Sequence, residues 1–410
     1  MKTIIKSKQL IFDPEKPPIP EGIVIIQDDK IVDVGSSQSI EVPQECKVID
    51  CTEETVLPGL IDSHAHITLN GKYNRGPGEQ MNIIKQSTLD LPTAVLRGSM
   101  NLRSDLASGV TTMRTCGDVG DIELRFRDTI NKGEIPGPRL VISIRALRPS
   151  HGTAAFMAAA ADGVDEIRKM VRQNFSMGAN VVKLFVTCIV NGNTIEEYLR
   201  GAFGTQPAFT REELFAAIGE AHDIGMKVCG HAIGGLAMRW AMEAGIDSIE
   251  HGNILEDQDI EYFLKYGTRL SDPNLQLFFD EKTGFHLRND YKHDWRRAKV
   301  IEAERLTVKY LPQLIKAGVK VSLAVDSSHG NLWKEAKYLV SIIGASEAEA
   351  LLAVTKNNAE LLGMEDSIGT IEKGKLADII SVKGNPLKDI TVLKDVSLVM
   401  KDGQQYKNLL

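Results

Sequence analysis

"LPGLIDSHAHITL", residues 57–69, carries an apolar run into two histidines, His64 and His66, with one small residue between them. Side chains of a strand alternate between its faces, so both rings leave the chain on one side while Ser63 and Ala65 leave on the other. Two imidazoles in that register have the spacing of two ligands to one metal ion. The chain holds only nine histidines in 410 residues, which makes the pairing notable. Alone it is weak, because polar surface and hydrogen-bonded cores also accommodate such pairs. Its neighbours along the chain decide what it means.

Outward from this stretch, one unit keeps returning: an amphipathic helical pattern, a glycine, then a short run rich in β-branched residues. It recurs in "DLASGVTTMRT", "NFSMGANVVKLFV", "AHDIGMKVCGHA", "AMEAGIDSIEHG" and "LIKAGVKVSLAVD". Gly109, Gly178, Gly225, Gly245 and Gly318 stand where a helix end requires a left-handed residue. With the run before His64, "PRLVISIRA" and "TRLSDPNL", the tally of candidate strands reaches eight. Eight αβ units over about 300 residues predict an α/β fold of the (β/α)8 TIM barrel type. An open doubly wound sheet is the rival, but no glycine-rich phosphate fingerprint follows the first strand. The two chain ends read differently. Alternating strands around polar turns, as in "GIVIIQDDKIVDVG" and "ADIISVKGNPL", predict hairpins that meet as a small β-sandwich domain. The expected division is residues 1–56 plus 365–410 for the sandwich and 57–364 for the barrel.

Four further units end an apolar strand on a polar residue: Lys183 in "VVKLF", His231 in "VCGHA", His251 in "SIEHG" and Asp326 in "LAVDSS". In a barrel all these strand ends face one mouth. Singly, His231 and His251 read as hydrogen-bonded core histidines and Asp326 as a turn cap. Lys183, flanked by Val181, Val182, Leu184 and Phe185, needs either a salt bridge or a chemical role. The chemical alternative is a desolvated, neutral amine that takes up carbon dioxide and becomes a carbamate able to bridge two cations. Six such positions on five strands favour a metal centre over coincidence.

"PGLIDSHAH", the downstream lysine, "GHA", "IEHG" and "VDSS" together resemble the amidohydrolase superfamily, metal-dependent hydrolases built on a (β/α)8 barrel with a small β-sandwich. "GVTTMRTCGD", "IPGPRLVIS" and "VDEIRKMVRQNFSMGANVVKLF" make the chain similar to the imidazolonepropionase-like branch, which includes Xaa-Pro dipeptidases and N-acyl amino acid hydrolases. The resemblance implies His64 and His66 as ligands of a buried metal, Lys183 as an N6-carboxylysine bridge, His231 and His251 as ligands of an outer metal, and Asp326 as ligand and proton shuttle. Two divalent ions are implied, zinc by default for such nitrogen and carboxylate ligands. They would lower the pKa of a bridging water, and the hydroxide would cleave an amide or peptide-like C–N bond of an N-acyl amino acid or of a dipeptide such as Xaa-Pro or Xaa-Arg/Lys. An esterase, lactonase or phosphotriesterase would use the same metals. A heterocycle deaminase is the other rival. Deaminase relatives lack the strand-four lysine and carry a glutamate soon after the fifth-strand histidine, where this chain reads "HAIGG".

Substrate contacts are expected from loops. His151, in "RALRPSHGT", is a candidate carbonyl-polarising or substrate-contacting residue, where Pro149 and Ser150 replace the branch's glycines; a solvent-facing loop histidine is the plain alternative. Arg145 and Arg148 are candidates for a substrate carboxylate, Tyr198 for a lid contact and His329 for a pocket contact. Thr187, Cys188 and Ile189 stand where relatives carry small residues, and Cys188 is discounted as a nucleophile because no histidine partner is evident.

Composition bounds the partners. Lys and Arg total 48 against 55 Asp and Glu, a net charge of -7, which argues against nucleic acid or an anionic membrane and for a small-molecule substrate. Five scattered cysteines without a CxxC pair suit reduced thiols in a cytoplasmic protein. No apolar stretch reaches membrane-span length, no export signal is read, and family likeness implies a homo-oligomer.

Overall fold

The computed structural model describes residues 2–69, 90–190, 203–282, 284 and 294–406. The chain is a mixed α/β protein whose helices alternate with parallel strands. Leu60–Ala65, Val110–Thr115 and Arg139–Val141 form a three-stranded parallel sheet. A seven-stranded parallel sheet runs in the order Ala158–Ala160, Ala146–Arg148, Val181–Phe185, Lys227–Ala232, Ser248–His251, Arg269–Ser271, Val321–Ser322. Residues in or flanking both edge strands of the short sheet hydrogen-bond to residues flanking strands of the long one. On one side Asn180 N–H donates to Ile142 O at 2.8 Å; on the other Asp326 N–H donates to His64 O and His66 N–H to Asp326 O, both at 2.9 Å.

The glycines that punctuate the repeat do what their position requires. Gly109, Gly178, Gly225, Gly245 and Gly318 have φ between +79° and +95°, a region that costs a Cβ-bearing residue free energy and costs glycine nothing comparable. Each turns the chain from a helix straight into a strand. The helices bury one stripe, as Val164–Met177 does with Ile167 and Val171.

One predicted strand is broken. "PRLVISIRA" yields two short pieces, Arg139–Val141 and Ala146–Arg148, with Ile144 between them at φ +63°. The cause is a buried acid on the preceding helix: the Glu123 carboxylate accepts Ser143 N–H at 3.0 Å and Ile144 N–H at 2.6 Å, so these amides leave the ladder. The loop read after this strand contains a further edge strand, Ala158–Ala160.

Strands from both chain ends join in one eight-stranded sheet, ordered Gln404–Gln405, Val396–Lys401, Ile379–Val382, Cys46–Pro58, Lys2–Leu10, Gly22–Gln27, Lys30–Ser36, with Ile19–Pro20 on the N-terminal strand. Ile5, Leu10, Val24, Val56, Ile379 and Leu398 pack as one apolar cluster, and Ile4, Ile23 and Ile25, of opposite parity, as another. Arg139 fastens this sheet to the parallel strands: Nη1 donates to Asp378 Oδ2 at 2.6 Å and to Thr112 Oγ1 at 2.8 Å. All five cysteines are free thiols, and among the described residues no helix is long and apolar enough to cross a membrane.

Candidate metal centre

The strand ends bring four imidazoles together. Ring centroids lie 5.3 Å apart for His64 and His66, 5.2 Å for His64 and His251, and 4.8 Å for His231 and His251. His64 and His66 are buried. His66 Nδ1 lies 2.6 Å from Gly117 O, an acceptor, so Nδ1 carries a hydrogen and Nε2 is the nitrogen turned toward His64. Glu123 secures that carbonyl's residue by accepting Gly117 N–H at 2.8 Å. On the other ring, His64 Nδ1 lies 3.1 Å from Glu250 Oε2 and 3.0 Å from Asp272 Oδ2.

Whether these residues suit a cation is decided by their unsatisfied atoms. The contacts of His64 Nδ1 have ion-pair distances but not hydrogen-bond alignment: it, Glu250 Oε2 and both Asp272 carboxylate oxygens are buried without a hydrogen-bond partner. Buried polar atoms are otherwise almost always paired. The His64 and His66 Nε2 atoms are 3.4 Å apart, close to the roughly 3.3 Å expected of two nitrogens bound at about 2.05 Å to one tetrahedral zinc. Two triads offer ligand atoms within 4.8 Å of one another, His64 with His251 and Asp272, and His64 with His66 and Asp326. The donor set fits a divalent cation.

Charge state agrees with that use. Burial, reinforced by Lys183, holds the His64 imidazole well below its ordinary range, and burial with neighbouring His251 does the same to His231. Burial and His64 push His251 down to about 3. All three rings are therefore neutral near pH 7, the state in which an imidazole can bind a metal. Burial pushes the Asp272 carboxyl well up, aided by Asp326, Glu335 and Glu250, a crowd of acids that a cation would relieve. Burial also opposes charge on Glu250, but Arg114, its Nη2 2.6 Å from Glu250 Oε1, overrides that and holds the acid well down.

These shifts carry a sign for stability. An unfolded histidine titrates near 6.5, so below that pH the unfolded chain binds more protons than the folded one. The stability contributed by the neutral rings is thus complete above about pH 6.5 and is lost as pH falls toward His251's folded value of about 3. Urea unfolding of chelator-treated protein should show its midpoint dropping once pH passes below 6.5; a midpoint unmoved down to pH 4 would contradict the neutral burial of these rings.

Lys183 is 1% exposed, and its Nζ lies 3.2 Å from His64 Nε2. Among the described residues no carboxylate lies within ion-pair distance of it, so the salt bridge that would explain a buried lysine is not made. Burial lowers the amine's proton affinity, yet the sulfurs of Cys116 and Cys229 and the Glu250 carboxylate outweigh burial and raise it. Positive charge beside the amine is what would free it for carbamate formation.

The remaining sequence candidates divide. Asp326 borders the mouth, its side chain 32% exposed and Oδ1 3.8 Å from His66 Nε2. Arg145 is corrected: Nε and Nη2 each bind Asp121 at 2.8 Å, so its fork is already filled. Arg148 is turned to its own loop, its Nη1 holding the carbonyls of Pro149, Ser150 and Gly152 at 3.0, 2.7 and 3.3 Å. His329 is corrected too: buried, it faces Asp105 and the His66 carbonyl instead of a pocket. His151 is exposed on its loop, near Asp162, and among the described residues no ring contact joins it to the other imidazoles. Tyr198 lies outside the described residues. Cys188 does have a histidine beside it, Sγ 3.4 Å from His231 Nε2, but its thiol is pushed up to about 11 by burial and donates to Gly204 O at 3.1 Å, which is not a nucleophile's setting.

Asp272 is the residue that sequence reasoning missed. It directly follows the strand Arg269–Ser271, as Asp326 follows Val321–Ser322 by four residues, so a search for acids just beyond strand ends would have found it. Left-handed backbone also collects here: Cys188, His251, Asp272, Asn274 and Asp326 have φ of +76°, +78°, +49°, +60° and +54°. For non-glycine residues each costs on the order of 1–3 kcal/mol and marks a segment fixed by its surroundings.

The amidohydrolase family model matches residues 55–406. The ochratoxinase of Aspergillus niger is 25% identical over 434 aligned positions, covering 97% of this chain and 85% of its own. The imidazolonepropionase of Fusobacterium nucleatum is 25% identical, covering 87% of this chain and 84% of its own. A solved Xaa-Pro dipeptidase with methionine bound in its active site superposes with a TM-score of 0.83 at 29% identity, across 99% of this chain and 100% of that one. The chain therefore belongs to the amidohydrolase family, hydrolases that act on carbon–nitrogen bonds.

Proposed function

We propose that this enzyme is a binuclear metal-dependent amidohydrolase that cleaves the amide bond of an N-acyl amino acid or a dipeptide. In this reading the parallel strands close into a (β/α)8 barrel, residues 57–364, with the terminal sheet, 1–56 plus 365–410, as the companion β-sandwich domain. His64, His66, His231, His251, Asp272 and Asp326 would hold two divalent cations, zinc by default, with Lys183 as an N6-carboxylysine serving as a further ligand. When bound, such cations make water acidic enough to deprotonate near neutral pH and polarise a carbonyl.

The chain's own residues do the rest. Asp326, a half-buried ligand candidate, accepts the proton of the attacking water on its carboxylate and delivers it to the departing nitrogen. Glu250, fixed by Arg114, lies against His64 Nδ1 and steers that ring. The single observation that carries the reading is Lys183: buried, unpaired with any described acid, and 3.2 Å from a histidine nitrogen. The names of the similar Xaa-Pro dipeptidase and ochratoxinase support an amide with an amino acid on one side. Metal analysis together with a panel of N-acyl amino acids, Xaa-Pro and Xaa-Arg dipeptides, lactones and phosphotriesters tests it. Two cations per chain and a preference for amides are expected; turnover of lactones or phosphotriesters alone would overturn the substrate assignment.

A further inference from the structure

Two buried residues that no part of the proposed chemistry uses stand directly behind the centre. Asp105, on the helix Leu91–Ala107, is 1% exposed, and His329, in the loop after Asp326, is 2% exposed. His329 Nδ1 lies 2.7 Å from Asp105 Oδ2, and its Nε2 lies 3.1 Å from the backbone carbonyl of His66. Both partners only accept, so both ring nitrogens donate. The other Asp105 oxygen accepts Gly330 N–H at 2.7 Å. One turn earlier on the same helix, Asn101 Nδ2 donates to Ile67 O and Leu69 O, both at 2.8 Å.

One helix face thus grips two loops, 66–69 and 329–330, each of which follows a candidate ligand. The segments from which these loops leave meet through the mutual hydrogen bonds of Asp326 with His64 and His66. Gly330 permits the close approach, since a Cβ there would lie 2.5 Å from Ser104 Oγ, and its φ is +74°. A buried ion pair is a costly way to fill space, because desolvating both charges offsets most of their attraction. What the pair adds over an apolar contact is direction: it fixes one carbonyl and one amide in the segments that bear the ligands.

We propose that Asp105 and His329 are positioning residues that set the spacing between the His64–His66 pair and Asp326, and so govern how tightly the centre holds its cation. The proposal rests on the metal-centre reading above. The test uses cation-free full-length chain, wild type alongside Asp105→Asn and His329→Gln, titrated with Co(II) and followed by visible absorption and equilibrium binding, with far-UV circular dichroism as the check of fold. Both variants are expected to stay folded, to bind Co(II) about 10–100-fold more weakly, and to shift its visible bands. Variants that melt earlier but keep wild-type affinity and spectrum would show that the pair only supports the fold, and the proposal falls. Unfolding of both variants would also overturn it, because the pair would then be holding the helix and not the centre. Wild type that binds no Co(II) would remove the metal-centre reading itself, a result distinct from equal binding by all three proteins.

Discussion

Lys183→Ala is expected to lose cations and with them at least about 10³-fold in kcat, since Lewis-acid stabilisation of the transition state is worth several kcal/mol. The argument starts from burial. A lysine 1% exposed with no described carboxylate within ion-pair distance lacks the salt bridge that would account for its burial, and its 3.2 Å approach to His64 Nε2 places the amine where a carbamate oxygen would meet the same site. Removing the stem opens space beside His64 Nε2. A small carboxylic acid such as formate, supplied in solution, should restore part of both cation content and turnover. Wild-type turnover by Lys183→Ala without added acid would end the bridging role.

The second large effect is expected from Asp326→Asn, with kcat lower by about 10²–10⁴-fold, the usual worth of a positioned general acid–base group. The amide keeps the size and one oxygen of the carboxylate, so cation content should change little. Asp326 N–H and C=O are committed to His64 and His66 in the backbone, and a side-chain substitution leaves those bonds in place. The signature is therefore a loss of turnover with metal retained and KM little altered. A near wild-type rate in Asp326→Asn would assign the proton transfer to another group.

Much of this was legible in the chain itself, for reasons that are local. Strand alternation puts His64 and His66 on one face whatever the fold, and a lysine between four apolar residues is anomalous in any context. The five helix-ending glycines adopt the left-handed backbone that their place in the repeat required. What sequence could not show are partners distant along the chain. Arg145 looks free until Asp121, 24 residues earlier, fills its fork. His329 looks like a mouth residue until Asp105, 224 residues away in the sequence, claims it. The third strand reads as continuous because nothing within it reveals that Glu123 draws two of its amides aside. Asp272 lies inside the stretch "TRLSDPNL" that reads as a strand, but its closeness to His64 depends on contacts between distant strands.

The left-handed residues at the strand ends have a dynamic consequence. Tension at Cys188, His251, Asp272, Asn274 and Asp326 is relieved whenever these short segments detach, and detachment there does not require the strands beneath them to separate. Deuterium should therefore enter the rim amides of the cation-free chain well before those of the strands they terminate, and loading with zinc should slow that entry locally while leaving the terminal sheet unaffected.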